Sequence, residues 1–150
     1  MRVIIQRIST ANVEVKGKVV ASIGNGVLVF TGFEEDDKIE DLQWVSNKII
    51  ALRIFQDNDG KMNLSLHDVK GEILVVSQFS LHALIKKGNR PSFIKACKYD
   101  KAEELYNDFV SIMERDFKQL VKSGVFGADM KVNLLNDGPL TFFIDTKNKE

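Results

Sequence analysis

Apolar and polar residues change period several times along the chain, and the changes mark the elements. Val3 to Ile8 and Val13 to Ile23 alternate or run apolar with many β-branched side chains. Gly24-Asn25-Gly26 then interrupts them before the apolar run Val27-Leu28-Val29-Phe30. This predicts a strand meander. From Asp37 the period lengthens: Ile39, Leu42, Val45, Ile49 and Leu52 recur every three or four residues, with Lys38, Asp41, Gln43 and Lys48 between them, as on an amphipathic helix. Leu52 to Phe55 returns to strand character, Asp57-Asn58-Asp59-Gly60 turns the chain, and Met62 to Val69 alternates again. Glu72 to Phe79 contains Ile73-Leu74-Val75-Val76, a run suited to a strand covered on both faces.

A second helix is predicted after an irregular basic stretch. Asp100-Lys101-Ala102-Glu103 has the spacing of a capping box, and Leu105, Phe109, Ile112 with Met113, Phe117 and Leu120 form one apolar stripe. Gly124 and Gly127 break the pattern, Met130 to Leu135 reads as a strand, Asn136-Asp137-Gly138-Pro139 turns, and Leu140 to Ile144 makes the last strand. The polar tail Thr146 to Glu150 is expected to fray. The order predicts an α+β fold, a single domain over residues 1–150. Its mixed β-sheet lies in two layers or a barrel-like arrangement, with two main helices packed on one face. Two helices cover only part of so many strands, so a second sheet layer or a partner subunit must cover the rest.

Composition narrows the classes. A chain of 150 residues buries roughly 70% of the surface its unfolded form exposes, enough for a core without disulfides or a structural metal. No apolar run approaches the ~20 residues of a membrane helix, and Met1 to Arg7 meets polar residues too soon for a signal peptide, so a cytoplasmic protein without membrane contact is expected. The 21 acidic residues cancel the 21 Lys and Arg, which leaves no long-range field to draw the molecule onto nucleic acid; any such contact is local. Lys86, Lys87, Arg90 and Lys95 break the balance, with no acidic residue between His82 and Asp100. Charge alone favours a solvated loop there.

Candidate chemistry is sparse. The single cysteine, Cys97, and the two histidines lack metal-ligand spacing, and Asp57-Asn58-Asp59-Gly60 opens like a calcium loop but has Asp68 where the loop needs Glu, so a hairpin turn is expected. His67 lies on the alternating segment and His82 beyond a strand end; a satisfied structural role is the commoner reading of both, and only His82 has the position of a site residue. Two segments stand out. Ser77-Gln78-Phe79-Ser80-Leu81 ends the most hydrophobic strand with hydroxyls and an amide, where ligands often bind and where polar groups also simply cap backbone. Asn136-Asp137-Gly138-Pro139-Leu140-Thr141 puts a proline, which lacks an N–H for the ladder, between two strands; taken alone, it reads as a simple turn.

These two segments resemble the signature motifs of the D-aminoacyl-tRNA deacylases, also called D-tyrosyl-tRNA deacylases. The resemblance spans nearly the whole chain, through Met1-Arg2-Val3, Gln6-Arg7, Leu52-Arg53-Ile54-Phe55, Gly60-Lys61-Met62-Asn63, Arg90-Pro91-Ser92-Phe93 and Phe126-Gly127-Ala128-Asp129-Met130. It departs at Ser80, where the family usually has Thr, the proposed nucleophile, and at Leu140, where it usually has Val.

The resemblance implies hydrolysis of the ester between a D-amino acid, or glycine, and the terminal ribose of tRNA, with L-aminoacyl-tRNA spared. It implies a homodimer with active sites shared across the interface and neither metal nor cofactor. The bond matching Gly138-Pro139 would be cis and enter the partner's site, its carbonyls accepting hydrogen bonds from the substrate ammonium. Pinning ammonium and ester exchanges side chain and hydrogen between enantiomers, so an L side chain clashes while glycine passes. By the same resemblance Arg7 holds the loop and Met130 lines the pocket. Ser77, Gln78, Phe79 and Ser80 would form the opposite, catalytic wall. Ser80 has no histidine in either motif to act as its base, which favours attack by water assisted by the ribose 2′-hydroxyl. Lys86, Lys87 and Arg90 then read as contacts to the acceptor end of tRNA. Two other classes compete: an RNA-end binding module without catalysis, and a general serine esterase.

Overall fold

The computed structural model describes residues 1–149, so the last residue of the expected frayed tail, Glu150, lies outside the described residues. The meander begins with three strands, β1 (Arg2–Val15), β2 (Lys18–Ile23) and β3 (Gly26–Gly32). The predicted break between the first two segments is absent. β1 runs through Ser9 to Asn12 and turns instead at Lys16-Gly17, whose φ angles of 50° and 76° suit a tight two-residue hairpin.

Helix α1 (Ile39–Ala51) follows as its period predicts, with Leu42, Val45 and Ile49 buried, although Ile39 at its start is exposed. The next strands are shorter than the alternation suggests: β4 (Phe55–Gln56) and β5 (Met62–Leu64). Between them Asp57 closes the turn by accepting hydrogen bonds from the Asp59 and Lys61 amides, as expected of a hairpin. Beyond Leu64 the chain leaves the strand because Asp68 accepts from the Ser65 amide and hydroxyl. Leu66 is buried from within that turn, which produces a strand-like alternation without a strand.

β6 (Glu72–Ser77) is covered on both faces, with Ile73 and Val75 in one core cluster and Leu74 and Val76 in the other. A 3-10 turn (Phe79–His82) replaces the predicted end of this strand. Helix α2 (Tyr99–Phe117) begins at Tyr99, ahead of the expected capping box, so Asp100 lies inside its first turn. The entering backbone is met by a distant carboxylate: Glu35 accepts from the Lys98 amide at 2.9 Å, a favourable place for negative charge. The helix stops at Phe117, with Lys118 at φ 56°, so Leu120 falls outside the helical stripe and is exposed, while its carbonyl accepts from the Ile73 amide as the chain enters β7 (Val121–Ser123). The last strand, β8 (Met130–Asp145), runs on through the predicted turn, where Asp137 to Leu140 leave its ladder with β1.

The sheet is mixed and curls toward a barrel. Its order is β2-β1-β3-β6-β7, with β8 antiparallel to β1 from Arg2↔Asp145 to Val15↔Met130, and β3-β6 and β6-β7 parallel. A register irregularity between Ile8 and Thr10 switches the face that β1 buries. Val3 and Ile5 join the helix-side core, whereas Ile8, Ala11 and Val13 join Leu28, Leu74 and Val76 inside the curl. On the helix side, the Tyr106 hydroxyl donates to the Val75 carbonyl at 2.9 Å, and burial pushes its pKa above the usual phenol value.

Thr146 and Lys147 are tied down rather than frayed. The Thr146 hydroxyl accepts from the Met1 ammonium at 2.9 Å, and Lys147 reaches Glu34 at 2.8 Å and Asp36 at 2.6 Å. Among the described residues no helix is long and apolar enough to cross a membrane.

Candidate active site

The parallel pair β3-β6 delivers Gly32 and Ser77 to the same edge of the sheet, the edge where ligands of such strands commonly bind. A cleft of about 600 Å³ opens there, lined by Ser77, Gln78 and Phe79 on one side and by Tyr99, Phe126 and Met130 on the other. Its size suits a nucleoside-sized ligand. Phe93 also lines it and meets the Phe79 ring edge-on at 4.8 Å; Tyr99 and Phe126 make a similar pair at 5.2 Å across the opening. The cleft is therefore walled by aromatic rings.

The Ser77 to Ser80 wall is held by backbone. The Gln78 amide donates to the Thr31 carbonyl at 2.7 Å, and the wall can come this close only because residue 32 is glycine. A Cβ on Gly32 would lie 2.7 Å from the Gln78 carbonyl oxygen. Within the wall, the Gln78 side-chain amide donates to the Ser80 hydroxyl at 2.5 Å. That contact supplies Ser80 with a donor, not a base. Ser80 itself is absent from the cleft lining. The amides of Phe79 and Ser80 open a 3-10 turn and so have no acceptor within it.

Cys97 lines the cleft, and burial raises its thiol pKa, which keeps it protonated and weakly nucleophilic. Among the described residues no three His, Cys, Asp or Glu side chains gather as a metal-ligand set.

The second motif lies elsewhere on the chain. Opposite Arg7 the register of β8 jumps from Asn136 to Thr141, so Asp137 to Leu140 bulge out of the ladder. The Gly138-Pro139 bond is cis, as the resemblance implied, and Gly138 has φ 129°. Asn136 staples the base of the bulge, accepting from the Leu140 amide at 3.0 Å and donating to the Thr141 hydroxyl at 3.2 Å. Leu140 packs against the helix-side core. Arg7, in phase with Val3 and Ile5, is buried: its Nη1 donates to the Ile54 carbonyl at 2.6 Å and its Nε to the Asp137 carbonyl at 3.2 Å.

Of the expected site residues, then, the cleft collects Ser77, Gln78, Phe79 and Met130, while Arg7, Gly138 and Pro139 form a separate cluster. Lys86, Lys87 and Arg90 are exposed on the loop beyond the 3-10 turn, which the Leu84↔Ser92 bridge pinches at its base. Phe93, Tyr99 and Phe126 were not assigned a role by sequence reasoning. Phe93 and Phe126 belong to segments that carry the resemblance; Tyr99 gave only the signal of an aromatic residue at a helix start.

The family model for D-Tyr-tRNA(Tyr) deacylase matches residues 4–145. The chain belongs to that family. It is 56% identical to the D-aminoacyl-tRNA deacylase of Flavobacterium psychrophilum and 52% identical to that of Bacteroides thetaiotaomicron, each alignment spanning 100% of both chains. Among solved structures it is similar to a c-Myc DNA unwinding element binding protein, at 38% identity and a TM-score of 0.90 over 97% of this chain and 98% of that one.

Proposed function

We propose that this protein hydrolyses the ester of D-aminoacyl-tRNA, and of glycyl-tRNA, as a chiral proofreading enzyme that spares the L form. Family membership over residues 4–145 carries the reading, and the aromatic cleft at the Ser77 edge supports it. An activated aminoacyl ester needs positioning and oxyanion stabilisation more than a strong nucleophile. The amides of Phe79 and Ser80 and the side chain of Gln78 supply donors at the wall, and water is the attacking group. Charge on the exposed Lys86, Lys87 and Arg90 holds the acceptor end of the tRNA in the cytoplasm's salt.

The separation of the two motifs supports a site built from two copies. In this reading Gly138 and Pro139 of one copy face the Ser77 to Ser80 wall of the other, and Arg7 orients the loop that crosses. A mixture of one copy altered at the loop and one altered at the wall then restores one intact site per dimer, whereas each altered protein alone has none. Release of amino acid from D-aminoacyl-tRNA distinguishes this enzyme from an RNA-end binding module. Turnover of a simple aryl ester with labelling of Ser80 would instead favour a general serine esterase.

A further inference from the structure

His82 closes the 3-10 turn that carries Phe79 and Ser80, is wholly buried, and makes no hydrogen bond with either ring nitrogen. Burying an imidazole without partners costs free energy, so its surroundings matter. From β3, Gly32 leaves room for the ring: a Cβ there would lie 3.1 Å from His82 Cδ2. From the turn after β3, Glu34 places Oε1 3.8 Å from Nδ1. From β1, Arg2 donates to the Leu81 carbonyl at 3.0 Å, and the Met1 ammonium, held by Asp37, adds a second positive charge. Lys147 holds the far oxygen of Glu34 at 2.8 Å.

We propose that His82 is a positioning residue for the Ser77 to Ser80 wall, its ring between Gly32 and Glu34 setting where the turn with Phe79 and Ser80 lies. The inference rests on the reading that this wall acts on the substrate. The turn transmits position directly, since the Ala83 amide donates to the Ser80 carbonyl at 3.0 Å. Burial lowers the imidazole pKa, opposed by the Gly32 backbone, which lies close without forming a full hydrogen bond, and by the Glu34 charge. Glu34 stays ionised: burial would raise its pKa, but the hydrogen bond from Lys147 and the charge of that ammonium outweigh it. At neutral pH the ring is uncharged and stands off from Glu34. Protonation draws imidazolium and carboxylate toward a charge-assisted bond of about 2.7–2.9 Å, which moves the turn by about 1 Å. A misplacement of that size costs roughly 10²-fold in rate.

The test measures kcat and KM for D-aminoacyl-tRNA from about pH 5 to 8, the range in which histidine titrates, with uncatalysed hydrolysis subtracted. In the unaltered protein kcat falls on the acid side by up to about 10²-fold while KM holds. In Glu34→Gln the fall moves to lower pH, because the charge that favours imidazolium is gone. In His82→Phe it disappears. If His82→Phe does not fold, Glu34→Gln and an NMR titration of the His82 ring decide the matter. The same acid fall in all three proteins, or none in the unaltered one, overturns the proposal. Gln78→Ala and Phe79→Ala at neutral pH separate it from the underlying reading. If they abolish activity while the acid limbs coincide, His82 alone is wrong; if they leave activity unchanged, the assignment of the wall fails, and with it this proposal.

Discussion

Arg7 grips Asp137 twice, its Nε lying 3.2 Å from the carbonyl and 3.1 Å from the carboxylate, while its Nη1 is anchored on Ile54. One buried guanidinium thus spans β1, the segment before β4 and the bulge of β8. Gly138 is packed against it so closely that a Cβ would lie 3.0 Å from Nη2. The loop that carries Gly138 and Pro139 is therefore oriented by a side chain from the sheet.

Arg7→Lys is expected to lose that orientation, because a single ammonium cannot serve acceptors on two separate segments as a fork does. Hydrogen bonds to charged groups contribute about 1.5–3 kcal/mol, so the variant should melt at a lower temperature by that order of stability. Its rate on D-aminoacyl-tRNA should fall by about 10²-fold. Thermal melts and single-turnover deacylation check both; a fully active variant would remove Arg7 from the site.

Ser80→Ala is expected to retain activity within about tenfold, since the hydroxyl has Gln78 as a donor and no base, and one hydrogen bond contributes about 0.5–1.5 kcal/mol. Mass spectrometry of the protein after rapid quench should find no acyl group on Ser80. An acyl-Ser80 adduct that forms and decays at the catalytic rate would require a nucleophilic serine.

The basic loop should act through salt. Replacing Lys86, Lys87 and Arg90 by Ala weakens tRNA binding to a similar degree whatever amino acid is attached. It also flattens the dependence of log K on log salt by about 0.7–0.9 for each phosphate that the loop no longer neutralises. Binding titrations at several salt concentrations check this. An unchanged slope returns these side chains to an ordinary solvated loop.

How much of this was legible in the sequence depended on how local each feature is. The period of Leu42 to Ile49 and the doubly apolar run at Ile73 to Val76 predicted their elements because burial on one face or two leaves its mark along a single segment. The hairpin turn at Lys16-Gly17 was missed because lysine rarely takes a positive φ and so sends no turn signal. The capping box at Asp100 failed because a carboxylate from Glu35, far away in sequence, meets the start of α2. The Ser77 wall was readable as polar residues ending an apolar strand. Its facing wall was not, because Tyr99 and Phe126 come together only when α2 packs beside β7. The separation of Gly138 from the cleft likewise depends on the pairing of β1 with β8.

Chirality is the center of the account, and one ratio tests it: kcat/KM for hydrolysis of D-tyrosyl-tRNA against L-tyrosyl-tRNA on the same tRNA, with glycyl-tRNA alongside. Rejection of the L form by clash predicts a preference for D of at least about 10²-fold, the rate effect of a misplaced reacting centre, with glycine accepted. Comparable values for the two enantiomers would contradict it.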